Sequence, residues 1–571
     1  MTGFDILPFD RDAAPVDAAV DPRLRNWPVV YVMDGAQQVY VGETLSLLSR
    51  MRQHGTDPKK DPLRTVRVVV HDEFNKSACL DLESYLIRMF AGDGRFRVTN
   101  ALPGVRDAAY FDRERYQGYF DKIFDELRQR GLFERTIPQI VNSDLFKFSP
   151  FKALSVDQAV AVESIVEALF EDIRTGSSSP IVVQGDPGTG KTVVAVYLIK
   201  LLRDIANQSW QNDPDEETVF AEFFVPENAE LLRDTVIGLV VPQQSLRATL
   251  QKVFARTPGL ANVRVMTPFD VGRSPDRFDL LVVDEAHRLN HRANQPAGPL
   301  NAAFAAINET LFGEDDDEFT QLDWIRAKST HQILLVDPEQ SVRPADLPAS
   351  VLGAVIDDAK NGHRYYPLQS QLRVLAGDEY TPYVRRVLRS EQGTPKSFPG
   401  YDLRFFDDLR AMRDEIERRD AEHGLARLVA GYAWRWKSKS DPDAFDIALD
   451  GLELRWNSTQ TDWVSSPASL AEVGSIHTIQ GYDLNYAGVI IGPDLRYDPV
   501  TRRLVFDRSN YFDTKGMENN RRRGISYTDA DILEYVTNIY GVLMTRGIRG
   551  TYLYVCDGPL REYLHRYFHG E

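Results

Sequence analysis

Gly185-Asp186-Pro187-Gly188-Thr189-Gly190-Lys191-Thr192 is the stretch that decides how this 571-residue chain is read. It fits the phosphate-binding pattern G-x-x-x-x-G-K-[ST], with a β-branched apolar run at 180–183 before it and a helical pattern at 193–202 after it. Glycines let backbone N–H groups curl around phosphates, a lysine at the seventh position reaches the β- and γ-phosphates, and the hydroxyl that follows suits Mg²⁺. Gly185, Gly188, Thr189, Gly190, Lys191 and Thr192 are therefore predicted to bind a nucleoside triphosphate, ATP with Mg²⁺.

Working outward, apolar strands alternate with helices after residue 150. Strands are predicted at 181–184, 236–241, 280–283, 333–336, 488–491 and 551–555, which implies parallel βαβ units and an α/β class. The segments 292–325 and 435–470, rich in Asn, Pro, Asp and Ser, are predicted as loop-like insertions. The apolar run Leu280-Leu281-Val282-Val283 ends in Asp284-Glu285-Ala286-His287. An acid at such a strand end can hold the Mg²⁺ shell (Asp284), and the next can polarise an attacking water (Glu285).

Composition sets bounds. The apolar share of 43% and charged share of 26% are those of a globular protein. No apolar run nears the ~20 residues that span a bilayer. The N-terminus is acidic where a signal peptide is basic and then apolar. Cys79 and Cys556 are the only cysteines, without metal-ligand spacing. Together these predict a cytoplasmic protein with neither a disulfide framework nor structural zinc. The net charge of −17 is uneven, with residues 1–108 nearly neutral. The acidic runs at 213–217 and 314–318 read as solvated loops. Arg521-Arg522-Arg523 reads equally as a phosphate-facing patch or a solvated loop, and His565 with His569 as a surface or core pair. Screening over ~8–10 Å leaves room for a local basic groove, so net charge does not decide against nucleic acid.

Further motifs follow in a fixed order. Over about 150–571 the chain resembles superfamily 1 helicases, in particular the Schlafen-like, RecA-type helicase-like domains. The resemblance implies that Gln158, in Leu154-Ser155-Val156-Asp157-Gln158, contacts adenine. It implies that the segment Val240-Val241-Pro242-Gln243-Gln244-Ser245 touches a nucleic-acid backbone. By the same likeness, Gln340 of Asp337-Pro338-Glu339-Gln340 senses the γ-phosphate, and Arg373 of Gln371-Leu372-Arg373 is an arginine finger. Asp483, closing the run from Ile476, meets the ribose, and Arg546 of Leu543-Met544-Thr545-Arg546-Gly547 is the second finger, with Arg549 a lesser candidate. Fingers on a second lobe that complete a site on the first make hydrolysis depend on closure. Two positions depart from the pattern: Val336 stands for a usual Gly and Asp483 for a frequent Glu. Little length remains for the accessory subdomains of processive helicases.

Before residue 108 two short strands surround a turn at Asp34-Gly35, followed by a helix at 45–54, a strand at 65–71 and a helix at 76–90. Val29-Val30-Tyr31 and Tyr40-Val41-Gly42 each carry a tyrosine, and Arg50 and His54 lie one helical turn apart. With Glu83 and Asn100 this constellation resembles the GIY-YIG endonuclease domain over about 27–105. The likeness implies phosphodiester hydrolysis. Glu83 would hold one Mg²⁺ (Mn²⁺ as an alternative), Arg50 would neutralise the scissile phosphate, and Tyr31, assisted by Tyr40 or His54, would help deprotonate water. Asn100 is a supporting residue.

The domain reading is thus a nuclease unit at 1–108, a helical connector at 109–149, a first RecA-like lobe at 150–365 and a second at 366–571 with an insertion. The expected activity is ATP-dependent processing of DNA, with RNA as the alternative, and by analogy a role in phage defence or repair. Two rivals stand beside it: an NTP-gated switch that licenses the nuclease without translocation, and a motor carrying a catalytically silent DNA-binding unit.

Overall fold

The computed structural model describes residues 4–9, 21–100, 102, 110–208, 220–292, 295, 298–371, 374–391, 393–459, 463–479 and 482–568. Arg373, His569 and the acidic run 213–217 lie outside them. The chain divides into two compact units. The first comprises residues 1–170, 192–235 and 250–263, and the second 171–191, 236–249 and 264–571.

The first unit holds a five-stranded sheet of β1 (Phe4–Phe9), β2 (Val29–Asp34), β3 (Gln38–Thr44), β4 (Thr65–His71) and β5 (Arg97–Val98), in the order β1-β4-β2-β3-β5. β2 and β3 pair antiparallel with Tyr31 opposite Gly42 and Met33 opposite Tyr40. Alternation along the strands sends Val30, Val32, Val39 and Val41 to one face, where the helix Lys76–Asp93 packs Ala78, Leu82 and Leu86 on them. Tyr31 and Tyr40 point to the other face with Leu47 and Met51 of the helix Leu47–Gly55. The helix Arg113–Gln129, read from sequence as a connector, puts Phe120, Ile123, Phe124 and Leu127 into the core on the first face.

The second unit contains two sheets. One is six-stranded: β6 (Ile181–Gly185), β7 (Ile237–Val240), β8 (Arg264–Met266), β9 (Phe278–Val283), β10 (Ser329–Val336) and β11 (Tyr365–Leu368), ordered β11-β6-β10-β9-β7-β8 and parallel throughout. The phosphate-loop strand β6 is therefore an interior strand, flanked by β11 and β10. Its neighbour β10 also pairs with β9, which brings three strand ends with motif residues side by side at one edge. In open parallel sheets this carboxyl edge is where ligands bind.

The other sheet has seven strands: β12 (Asp402–Phe405), β13 (Ala426–Ala430), β14 (Ile447–Leu449), β15 (Leu452–Trp456), β16 (Glu472–Ser475), β17 (Leu484–Ile491) and β20 (Gly547–Val555), with β18 (Leu495–Asp498) and β19 (Arg503–Phe506) forming a separate ribbon. The order is β12-β20-β17-β13-β16-β15-β14, parallel except for the β14–β15 pair. These two sheets are consistent with the predicted α/β class and RecA-like lobes. Among the described residues no helix is long and apolar enough to cross a membrane.

Both predicted insertions are more ordered than their composition suggested. Residues 298–328 form the helices Gly298–Phe312 and Gln321–Lys328, because Phe304 and Ile307 bury against Trp324. Thr320 and Asp323 close a reciprocal capping box that starts the second helix. Within 435–470 the β14–β15 hairpin extends the seven-stranded sheet at its edge. The run 314–318 is not a free solvated loop either. Asp315 accepts bidentate bonds from Arg292, and Arg522 pairs with Asp315 and Asp317 while Arg523 pairs with Glu318. The arginine run and the acidic run satisfy each other, a pairing across some 205 residues of sequence that local composition cannot reveal.

Candidate functional site

The loop at 185–192 leaves β6 at Gly185 and enters the helix Lys191–Ala206. Gly188 (φ 92°) and Gly190 (φ 78°) adopt left-handed backbone that a side chain would strain. At Gly185 an added Cβ would fall on the Thr189 hydroxyl, which itself donates to the Asp186 carbonyl at 2.9 Å. Lys191 is buried, its Nζ 2.5 Å from the Gly185 carbonyl, 3.1 Å from the Asp186 carbonyl and 3.8 Å from Asp337 Oδ2. The lysine therefore lies between the loop backbone and the acid that follows β10.

Asp284 and Glu285 follow β9, and Asp284 is fully buried, its Oδ1 accepting the Glu285 N–H at 3.0 Å. Glu285 has φ 52°, a left-handed conformation unusual for a residue with a side chain. That turn sets Glu285 Oε2 3.1 Å from His287 Nε2. Burial by itself raises the Glu285 pKa, but His287, Lys191 and Arg288 together outweigh it and hold the carboxyl well below its usual value. Glu285 is thus an ionised acceptor at neutral pH.

The 3-10 turn Pro338–Gln340 carries the next motif. Gln340 Nε2 donates to Asp337 Oδ2 at 2.7 Å, and the backbone N–H of Asp337 donates to His287 Nδ1 at 3.1 Å. Burial raises the Asp337 pKa, while Lys191, Arg385, His287 and Gln340 pull it down further, leaving a net lowering. Lys191, Glu285, His287, Asp337 and Gln340 form one connected cluster.

Two residues C-terminal to β11 reach the loop. Gln371 Nε2 donates to the Pro187 carbonyl at 2.6 Å. Arg385, from the helix Tyr380–Leu388, sets Nη1 2.7 Å from Asp186 Oδ1 and 2.9 Å from Glu339 Oε2, and Nη2 3.4 Å from Asp337 Oδ2. Motif reading missed Arg385. Its only sequence signal is that it is one of three arginines within five residues of an amphipathic helix. Arg546 is buried and donates from Nη1 to the Tyr482 carbonyl at 3.3 Å, while Asp483 immediately precedes β17. Tyr482 also meets Thr249, hydroxyl to hydroxyl, at 3.3 Å. Gln158 belongs to the first unit, where its Oε1 accepts the Ser155 N–H at 3.1 Å.

In the first unit Tyr31, Tyr40, Arg50 and His54 are brought together. Tyr31 Oη lies 2.8 Å from His54 Nε2 and accepts from Arg50 Nε at 3.2 Å. With Arg50 donating to that oxygen, the Tyr31 proton is directed at His54 Nε2. The Tyr40 ring packs edge-on to His54, and Lys60 Nζ stands 3.0 Å from the Tyr40 ring centre, in cation–π contact. Lys60 is a further addition that spacing did not reveal. A Cβ at Gly42 would run into the Tyr31 phenol, so the small residue of the second motif makes room for the tyrosine of the first. Asn100 clamps β3, accepting the Val41 N–H at 3.1 Å and donating to the Val41 carbonyl at 2.6 Å. Glu83 is buried on the helix Lys76–Asp93, which covers the opposite sheet face from the tyrosines. Among the described residues no group of three or more His, Cys, Asp and Glu side chains is arranged to hold a metal.

Comparison with known proteins adds to this geometry. Residues 178–557 match the family model described as Schlafen group 3, DNA/RNA helicase domain, which takes in both sheets of the second unit. The chain belongs to that family. A helicase-like ATPase domain therefore occupies most of its length. The uncharacterized protein YPL245W of Saccharomyces cerevisiae is 25% identical over 413 residues, covering 67% of this chain and 83% of the yeast protein. Replication factor C small subunit 2 of Pyrobaculum islandicum is 27% identical over 153 residues, 27% of this chain and 37% of that protein. Its counterpart in Pyrobaculum arsenaticum is 28% identical over the same length.

Proposed function

We propose that the chain is an ATP-dependent nucleic-acid-processing enzyme in which a helicase-like ATPase acts together with a metal-dependent endonuclease in the first unit. The observation that carries the ATPase half is the cluster around Asp337, which ties Lys191 of the loop, His287 beside Glu285, and Arg385 of the second lobe to a single carboxylate. Lys191 would take the β- and γ-phosphates and Gln340 would report the γ-phosphate. Glu285, held ionised, would orient the attacking water as an acceptor. Its low pKa suits orientation better than proton abstraction. The Thr192 hydroxyl and the buried Asp284 carboxylate are hard oxygen donors of the kind Mg²⁺ takes, and bound Mg²⁺ would offset phosphate charge. Gln158, Asp483 and Arg546 keep the adenine, ribose and finger roles implied by the family pattern, as does Arg373.

For the nuclease half, the Tyr31–His54 and Arg50–Tyr31 contacts support the GIY-YIG reading. A phenol hydrogen-bonded to an imidazole and an arginine can pass a proton to His54 while the guanidinium faces a phosphate. Among the described residues Glu83 belongs to no group of three or more acid, His or Cys side chains that could hold a metal, so a metal there would take ligands from the scissile phosphate and water as well. Mg²⁺, or Mn²⁺ in its place, would stabilise the leaving oxygen.

The test is cleavage of labelled DNA and RNA with Mg²⁺ or Mn²⁺, with and without ATP, for wild type, Lys191→Ala and Glu83→Ala. Cleavage that survives Glu83→Ala sinks the nuclease reading, and nucleic-acid-stimulated hydrolysis that survives Lys191→Ala sinks the ATPase reading. Direct second-lobe contacts to the loop, such as Gln371 to Pro187, also suit a switch that does not translocate. That second reading predicts that a non-hydrolysable analogue replaces ATP in licensing cleavage.

A further inference from the structure

Arg385 stands outside every motif, yet its guanidinium meets the phosphate loop and two acids beside it. Three carboxylates of the first lobe surround it: Asp186 of the loop itself, and Asp337 and Glu339 after β10. Arg389, which caps the C-terminus of the same helix, takes the second oxygen of Glu339 at 3.3 Å. The helix is fixed to the second lobe, because Tyr380, Tyr383, Val384 and Val387 are part of that lobe's core and the Tyr380 hydroxyl donates to the Met544 carbonyl at 3.0 Å. The guanidinium is therefore carried by the core around the seven-stranded sheet, while its partners lie at the carboxyl edge of the six-stranded sheet.

The charges around Asp337 balance locally. Asp186, Asp337 and Glu339 stand against Lys191, Arg385 and Arg389. A triphosphate adds several negative charges within this group, and phosphate oxygens outcompete a half-exposed carboxylate for a guanidinium that cannot lose its proton. Asp186 and Glu339 are 44% and 38% exposed against 2% for Asp337, and of the two exposed acids Asp186 is the one on the phosphate loop itself. A small cleft lined by Pro187, Glu339, Arg385, Arg389, Asn538 and Thr545 adjoins the guanidinium.

We propose that Arg385 is a phosphate-binding residue that passes from Asp186 to the bound phosphate chain, so that phosphate occupancy of the loop is read directly by the second lobe. Asp337 and Glu339 hold the guanidinium in place during the exchange, and Asp186 competes with the nucleotide for it. The inference rests on the ATPase reading above.

The experiment combines steady-state ATP hydrolysis with fluorescent-nucleotide binding on the full chain, comparing wild type, Arg385→Ala, Arg385→Lys, Asp186→Asn and the double variant Arg385→Ala/Asp186→Asn. Arg385→Ala should lower kcat by about tenfold or more, with a much smaller change in KM. Arg385→Lys, which keeps the charge but not the fork, should recover only part of it. Asp186→Asn should tighten nucleotide binding roughly threefold to tenfold by removing the competitor, and Arg385→Ala should erase that gain. If Asp186→Asn tightens binding equally with and without Arg385, or if Arg385→Ala hydrolyses at the wild-type rate, the inference is overturned. Should Arg385→Ala not fold, Asp186→Asn and Arg385→Lys decide: unchanged binding in the first with full kcat in the second overturns it. A wild-type chain that neither binds nor hydrolyses ATP overturns the ATPase reading instead, so the two failures are distinct.

Discussion

His287 Nδ1 accepts the backbone N–H of Asp337 at 3.1 Å, which leaves the Nε2 side of the ring facing Glu285 Oε2 at 3.1 Å. Because the amide is a donor, Nδ1 is the accepting nitrogen, and Nε2 is the ring atom turned toward the glutamate. The imidazole thereby fixes the Glu285 carboxylate through the position of the β10 end. His287→Ala should lower the rate of ATP hydrolysis about 10- to 100-fold, the range for loss of a group that orients a catalytic one, with nucleotide affinity little changed. Steady-state kinetics beside equilibrium nucleotide binding checks this.

Asp494 gives the pH dependence. It is enclosed beyond β17, accepts the Tyr540 hydroxyl at 2.6 Å, and burial pushes its carboxyl up to about 7 from an ordinary 3.8. The folded state then binds the proton more tightly than the unfolded one. Stability contributed by this group is full below about pH 4 and falls as pH rises toward 7. The loss is at most roughly 4 kcal/mol, from about 1.4 kcal/mol per pH unit. Asp494→Asn should melt higher than wild type at pH 8 and should flatten the decline in melting temperature between pH 5 and 8. A wild-type melting temperature that rises over this range in step with the variant would refute the assignment.

Gly42 is where the nuclease cluster is sterically tightest. Gly42→Ala drives a methyl into the Tyr31 ring, and overpacking of this kind costs about 1–3 kcal/mol. Cleavage should be lost while ATP hydrolysis by the second unit continues. Parallel cleavage and hydrolysis assays, with thermal melting, check it.

Asn100 closes two hydrogen bonds on Val41, next to Tyr40. Asn100→Asp replaces the donor with an acceptor facing the Val41 carbonyl, so a buried pair becomes a repulsion. The first unit should lose about 1–3 kcal/mol of stability. Limited proteolysis should cut within residues 27–105 faster than in wild type.

What the sequence made legible was local chemistry. The loop at 185–192 and the acids after β9 are contiguous, so their spacing alone positions them, and the apolar strands between them announced the parallel sheet. The Tyr31, Arg50 and His54 set was legible because strand alternation and helical spacing bring those residues to one face. Arg385 was not, since its partners lie about 50 and 200 residues away and only the packing of its helix brings it to Asp186. Lys60 over Tyr40 was hidden for the same reason. The helices in 298–328 were masked by the polar composition between them, although Thr320 and Asp323 did carry a capping signal. Arg373 lies outside the described residues, so its part as a finger stays an expectation from the family pattern.

The clasp of Arg522 and Arg523 on the acids at 315–318 is the part of this cluster of charges most open to screening by salt. The pairs are partly exposed, and each is worth about 0–1 kcal/mol, so salt weakens them more readily than it weakens the buried cluster at Asp337. Parting them would uncover an acidic strip and a basic strip at once, leaving the net charge of −17 unchanged while adding a basic surface that a polyanion could meet. The total charge of this chain therefore says little about where a polyanion could meet it.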